Sequence, residues 1–230
     1  MVPVRCCLCA EPLFQKPFAR IRVCPICLRQ LFRELLPAGE GAQRCKVCGM
    51  PLISELDTCL ECRATQYYFN AHHSLFMYQD SPEALIRHYK FQPLPALAAL
   101  WAHCFMHLFR TNKDLPALII PVPARSSSVR HRGWDQMKLI CRHLRRRGLP
   151  TANLLKRTGG SSQKSLNYTD RMNNLKGRIK CTLKTAPAPT RIALLDDVFT
   201  TGATLNECAR VLHKAGVQEI YAFTIAMTPY

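Results

Sequence analysis

Residues 192 to 204 read Ile-Ala-Leu-Leu-Asp-Asp-Val-Phe-Thr-Thr-Gly-Ala-Thr. Four apolar residues suit a strand buried on both faces, and two carboxylates at its carboxyl end stand where ligands bind in an open parallel sheet. Gly202 can adopt a positive φ and admit an anion close to the backbone. The N–H groups of a helix starting there would point at that anion, and the hydroxyls of Thr200, Thr201 and Thr204 add donors. That chemistry is a monophosphate site. Asp196 and Asp197 would repel a phosphate unless they hold hydroxyls or a cation-bound sugar, and a ribose meets both conditions. An ordinary helix cap needs one Asp or Thr, not the whole series.

Cysteine supplies the second chemistry. Of thirteen cysteines, eight form CxxC pairs: Cys6 and Cys9, Cys24 and Cys27, Cys45 and Cys48, Cys59 and Cys62. Eight thiolates suffice for two tetrahedral zinc sites of four cysteines each, which would be structural. The halves echo each other, CCLCAEPL at Cys6 matching CKVCGMPL at Cys45, so sequential sites (Cys6, Cys9, Cys24, Cys27, then Cys45, Cys48, Cys59, Cys62) are expected, with an interleaved arrangement using the same residues. Cys7 is an extra thiol able to replace Cys6. Cys104, Cys141, Cys181 and Cys208 lie in apolar contexts and read as small hydrophobes.

The third signal is charge. The chain carries +17, and fifteen Lys or Arg between Arg125 and Lys180 face only Asp135 and Asp170, a balance that favours a polyanionic partner. In Arg130-His131-Arg132-Gly133-Trp134-Asp135-Gln136 an aromatic stands in a cationic turn, which suits a single strand of DNA whose bases stack while its phosphates are neutralised; packing of Trp134 in the core is the competing reading. Lys90, Arg130, Arg132, Trp134 and Lys138 are the nucleic-acid candidates. The first residues hold no apolar leader, and Leu94 to Phe105 falls short of the ~20 residues of a membrane span, so a cytoplasmic protein is expected.

These groups need elements to position them. Helices are expected over 28–36, 81–89 with Ser81 as N-cap, 94–109, 136–147 and 204–215, the last stopped by Gly216. Strands are expected over 71–78, 118–124, 192–195 and 220–226, alternating with the helices as in a parallel α/β sheet. Lys156–Gly160 and the polar run after it read as a loop feeding a helix, and 185–190 as a linker.

The pattern of four apolar residues, Asp-Asp, two spacers and Thr-Thr-Gly-x-Thr resembles the signature of type I phosphoribosyltransferases. That resemblance implies ribose hydroxyls on Asp196 and Asp197, the 5-phosphate on Thr200, Thr201, Gly202, Ala203 and Thr204, and Mg²⁺ accompanying phosphoribosyl diphosphate. It also implies a diphosphate turn at Pro121–Arg125, so Pro123, Arg125, Lys164 and Arg171 are the diphosphate and loop candidates. The order of features resembles the ComF (ComFC, GntX-like) competence family over essentially the whole chain: cysteine ribbons, Tyr89-Lys90-Phe91, Pro-Val-Pro, Arg-x-Arg-Gly-Trp-Asp-Gln, Gln163 with Arg171 and Asn174, and the Asp-Asp loop. Where that family usually has Phe-Asn, this chain has Trp134-Asp135.

The resemblance implies an α/β fold, a type I phosphoribosyltransferase-like parallel sheet flanked by helices over 67–230, with a small N-terminal double zinc-ribbon domain over 1–66. It implies a competence protein of natural transformation acting on incoming single-stranded DNA, alongside DNA-processing or DNA-uptake proteins. A phosphoribosyltransferase of nucleobase salvage and a non-catalytic sensor of phosphoribosyl diphosphate or nucleotides are the alternatives. The residues specify binding of a ribose phosphate; they do not specify transfer.

Overall fold

Apolar runs long enough to be buried on both faces build the sheet, and amphipathic segments between them cover it. The computed structural model describes residues 3–36, 43–92, 94–111, 118–158, 177–183 and 190–229. Four strands, β1 (Ala71–Met77), β2 (Leu118–Pro121), β5 (Arg191–Phe199) and β6 (Glu219–Met227), pair in the order β1-β6-β5-β2, every pair parallel. A separate antiparallel ribbon joins β3 (Leu155–Arg157) to β4 (Ile179–Cys181).

Alternation along β5 divides the core in two. Ala193 and Leu195 join a cluster with residues of α4 (Asp80–Phe91), α5 (Leu97–Thr111) and α7 (Gln136–Arg145) on one face. Ile192, Leu194 and Phe199 join another with Leu205, Cys208 and Leu212 of α8 (Ala203–Lys214) and with Cys45, Cys48 and Cys59. The sheet is therefore a two-faced layer with helices on both sides, which is the α/β arrangement the sequence implied.

The cysteine-rich segment contributes α1 (Lys16–Ile21), α2 (Pro25–Arg33) and α3 (Leu60–Ala64). It covers the open edge of β1, since Leu36 N–H donates to the Leu75 carbonyl at 2.8 Å and His72 N–H to the Val47 carbonyl at 2.7 Å. An edge strand left bare would present unpaired backbone groups, so the segment completes the sheet as well as holding its own turns.

Several boundaries differ from expectation. Helix α2 starts at Pro25, where Cys24 caps it by accepting from the Cys27 amide, and ends at Arg33. Ser81 is inside α4 and is not its cap; Gln79 takes that position without a side-chain bond. Ser126–Arg132, part of the segment expected to be a turn, is the short helix α6, ended by Gly133 at φ 80°. Asp135 then caps α7 through the Lys138 amide. Lys156 and Arg157 belong to a strand because Ile179–Cys181, distant in sequence, supplies their partner. Lys164, Arg171 and the linker residues 185–189 lie outside the described residues.

Candidate ribose-phosphate site and cysteine centres

Strand β5 continues through the acidic pair to Phe199, with Asp196 beside Thr224 and Phe199 beside Met227 of β6. Successive side chains on a strand leave on opposite faces, so the two carboxylates face different layers. Asp197 turns to the α4 side, where Lys90 Nζ lies 2.9 Å from its Oδ1. Asp196 turns to the α8 side, within electrostatic reach of Arg157 and Cys208, and its Oδ1 accepts from the Asp197 amide at 2.8 Å. Burial, reinforced by the Asp197 charge, pushes Asp196 up to about 7 despite the opposing cations Lys90 and Arg157.

In the turn after β5, rings of the protein itself pack close against the backbone. Gly202 holds φ 70° as the N-cap of α8, and a Cβ there would fall 2.9 Å from ring atoms of Phe199 and Tyr67. Two requirements, the left-handed conformation and the closed space, thus call for glycine. Ala203 is buried just inside the helix, Thr201 Oγ1 accepts from the Ala203 amide at 3.4 Å, Thr200 is exposed and Thr204 half-buried. The Tyr67 hydroxyl donates to the Thr201 carbonyl at 3.2 Å.

Strand β2 lies beside β5, and Val122 N–H donates to the Leu195 carbonyl at 2.9 Å. The Pro-Val-Pro turn therefore emerges next to Asp196, with Pro123 buried and Arg125 exposed as the N-cap of α6. Arg157, on β3, is half-buried within electrostatic reach of Arg125, Arg178 and Asp196. Sequence does not single it out, because its placement depends on the remote β3–β4 pairing; the alternation Leu155-Lys156-Arg157 is the available signal.

His72 is likewise absent from the sequence-derived candidates. It is buried, with Nδ1 2.7 Å from the Cys48 carbonyl, which makes Nδ1–H the donor and leaves Nε2 to accept from the Thr224 hydroxyl at 2.8 Å. Its ring stacks on Phe199 with centroids 4.1 Å apart. Burial pulls the imidazole down to about 3, so it is neutral. The second cysteine group and the turn after β5 thus share one packed contact.

The eight paired cysteines gather in two groups, Cys6, Cys9, Cys24, Cys27 and Cys45, Cys48, Cys59, Cys62, the sulfurs of each all within 4.8 Å of one another. Cys9 and Cys24 Sγ are 3.7 Å apart, as are Cys48 and Cys59 Sγ. Tetrahedral Zn–S bonds of about 2.3 Å require S···S separations of about 3.8 Å, so both groups fit structural zinc, in the sequential pairing and not the interleaved one. The duplication reaches the electrostatics: against burial, amides pull Cys6 and Cys45 alike to about 7. Burial instead pushes Cys7 up to about 11, and it stands outside both groups. Cys104, Cys141 and Cys208 are buried and Cys181 half-buried.

The nucleic-acid candidates differ in exposure and partners. Lys90 is engaged with Asp197. Trp134 packs against the core beside Tyr89, ring centroids 4.8 Å apart, and Arg132 is half-buried with its Nε out of solvent. Arg130 and Lys138 are exposed. Around them α7 presents Arg142 and Arg145 on the exposed face that carries Lys138, opposite the buried Met137, Ile140, Cys141 and Leu144. Among the described residues no helix is long and apolar enough to cross a membrane.

No family model matches the chain. It is similar to competence protein F of Haemophilus influenzae, 32% identical over 191 residues that cover 79% of this chain and 83% of that protein. It is similar to competence protein ComFC of Streptococcus pneumoniae, 24% identical over 80% of this chain and 81% of the relative, and to the DNA utilization protein YhgH of Salmonella typhimurium, 24% identical over 99% and 98%. With identity above three-tenths to the Haemophilus protein across most of both sequences, and with alignments to YhgH running nearly end to end, this chain belongs to the ComF family of competence proteins.

Proposed function

We propose that this protein takes part in the use of incoming DNA during natural transformation, acting on single strands in the cytoplasm. We propose further that its Asp196–Thr204 turn binds phosphoribosyl diphosphate or a related ribose 5-phosphate. The observation that carries the ligand reading is Gly202, where both a positive φ and surrounding rings exclude any side chain at the mouth of α8. A helix start with a glycine N-cap, next to two carboxylates, suits a ribose phosphate: amides for the anion, carboxylates for the hydroxyls. Pro123 and Arg125, emerging beside Asp196, would meet the diphosphate with its Mg²⁺, and Arg157 would add charge. Lys164 and Arg171 remain candidates from sequence for the same role.

The DNA reading is supported by the names of the relatives, by the +17 charge and by the exposed cations of α6 and α7. Two structural zinc ions would hold the cysteine-rich segment against β1. Calorimetry with phosphoribosyl diphosphate and Mg²⁺ tests the ligand site: the parent binds, and the paired change Asp196→Asn with Asp197→Asn loses most of that affinity. A parent that shows no heat of binding, or a double variant that binds as well, removes the ligand reading. Diphosphate release with candidate acceptors then separates a transferase from a sensor.

A further inference from the structure

The carboxylate pair comes with a cation of its own. Helix α4 delivers Lys90 in its last turn, and Nζ reaches Asp197 Oδ1 at 2.9 Å with only 22% and 20% of the two side chains exposed. The preceding residue fixes this placement. Tyr89 is fully buried, its hydroxyl donates to the Gln136 carbonyl at 2.8 Å, and its ring packs on Trp134. The backbone that carries Lys90 is therefore anchored to α7, and the ammonium is aimed at the end of β5.

The electrostatic setting gives that ammonium a task. Asp196 and Asp197 are adjacent, and α4 ends nearby with the negative end of its dipole. Arg157 offsets part of this on the Asp196 face. On the Asp197 face Lys90 is the cation in contact. An exposed ion pair would contribute little, but this one is mostly withdrawn from solvent and stands at a strand end where a ligand is expected. A divalent metal on Asp197 would lie close to the ammonium and be repelled by it. Of the three N–H donors of Lys90, one is used on Asp197, which leaves others for a ligand oxygen.

We infer that Lys90 is the resident counter-ion of the Asp196–Asp197 pair, a positioning residue that lets the pair take the hydroxyls of a ribose 5-phosphate with no divalent metal on the carboxylates. This rests on the ribose-phosphate reading of the turn. Metal then accompanies only a diphosphate, when one is present.

The test is titration calorimetry with ribose 5-phosphate, which carries no diphosphate, in EDTA and in Mg²⁺. The parent binds with the same affinity in both, and Lys90→Arg behaves as the parent. Lys90→Met weakens binding in EDTA by about tenfold, the scale of a lost charge-assisted hydrogen bond, and Mg²⁺ restores it. Lys90→Gln is measured in parallel with thermal unfolding of every variant, so that a misfolded protein is not counted as weak binding. The inference is overturned by a parent that requires Mg²⁺, by folded Met and Gln variants that bind normally in EDTA, or by a loss that Mg²⁺ does not repair. A parent that binds ribose 5-phosphate in neither buffer defeats the underlying reading of the turn instead, and the inference with it.

Discussion

At the scale of single residues, Asp196 is the group whose ionisation the fold opposes most directly among the site carboxylates. Its carboxyl stands at about 7 in the folded protein against an ordinary 3.8, chiefly through burial and then through Asp197. Between those values the folded chain keeps a proton that the unfolded chain has released. The unfolded state binds fewer protons there, so the Asp196 contribution lowers stability as pH rises through the window, and the cost is complete above about 7. Asp196→Asn removes that cost. The expected outcome is a variant that melts higher than the parent at pH 8, by a few degrees if about 1–2 kcal/mol is relieved, and level with it near pH 4. Thermal unfolding across pH checks this, and a difference independent of pH would show that the carboxyl is not held out of water. Such a gain is what a site that sacrifices stability for binding would show.

At the scale of elements, the turn after β5 is held from below by the second cysteine group. Phe199 closes the space under Gly202, stacks on His72, and His72 donates to the Cys48 carbonyl. Tyr68 N–H donates to Asn206 Oδ1 at 2.6 Å, and Asn206 donates back to the Gln66 carbonyl, which fastens the chain after the second group onto α8. The first group instead packs with α1 and α2 toward α4 and α5. Loss of the second metal is therefore expected to loosen the turn selectively. Cys48→Ser should leave about one zinc per chain where about two are expected in the parent, and speed amide exchange over residues 199 to 206, whereas Cys9→Ser, which removes a ligand of the first group, should also leave about one zinc but without that change. Equal exchange in both variants would mean that the turn stands on β5 and α8 alone. This coupling is not legible in the sequence. Periodicity and glycine placement reveal β5, α8 and the turn, and CxxC spacing reveals both metal groups, because those signals are local. The strand β3, Arg157 and the His72 contact depend on partners more than twenty residues away, and an isolated histidine in an apolar strand carries no mark of what it will touch.

At the scale of the whole molecule, the positive charge is divided between partly buried and exposed cations that composition merges into one number. Lys90 and Arg157 are drawn to the acidic pair, and Arg132 and Trp134 lie around Tyr89. Among the exposed cationic surfaces left for a polyanion are the outer faces of α6 and α7. Lys138, Arg142 and Arg145 are spaced by four and three residues along α7, all exposed, with Arg130 at the end of α6 close in sequence. A helix face of that kind tracks a phosphate backbone without reading bases, and its contribution to single-strand binding should scale with salt. Each phosphate neutralised on a single strand adds about 0.7 to the slope of log affinity against log salt, so changing all three α7 cations to Gln should reduce the slope by about 2. Anisotropy of a labelled oligonucleotide over a salt series measures this directly, and an unchanged slope would move the DNA surface elsewhere on the molecule. Because these residues lie on the opposite side of α7 from its buried face, the same variant is expected to keep the parent's affinity for ribose 5-phosphate. A variant that lost both kinds of binding together would instead mean that DNA and sugar phosphate compete for one site at the end of β5.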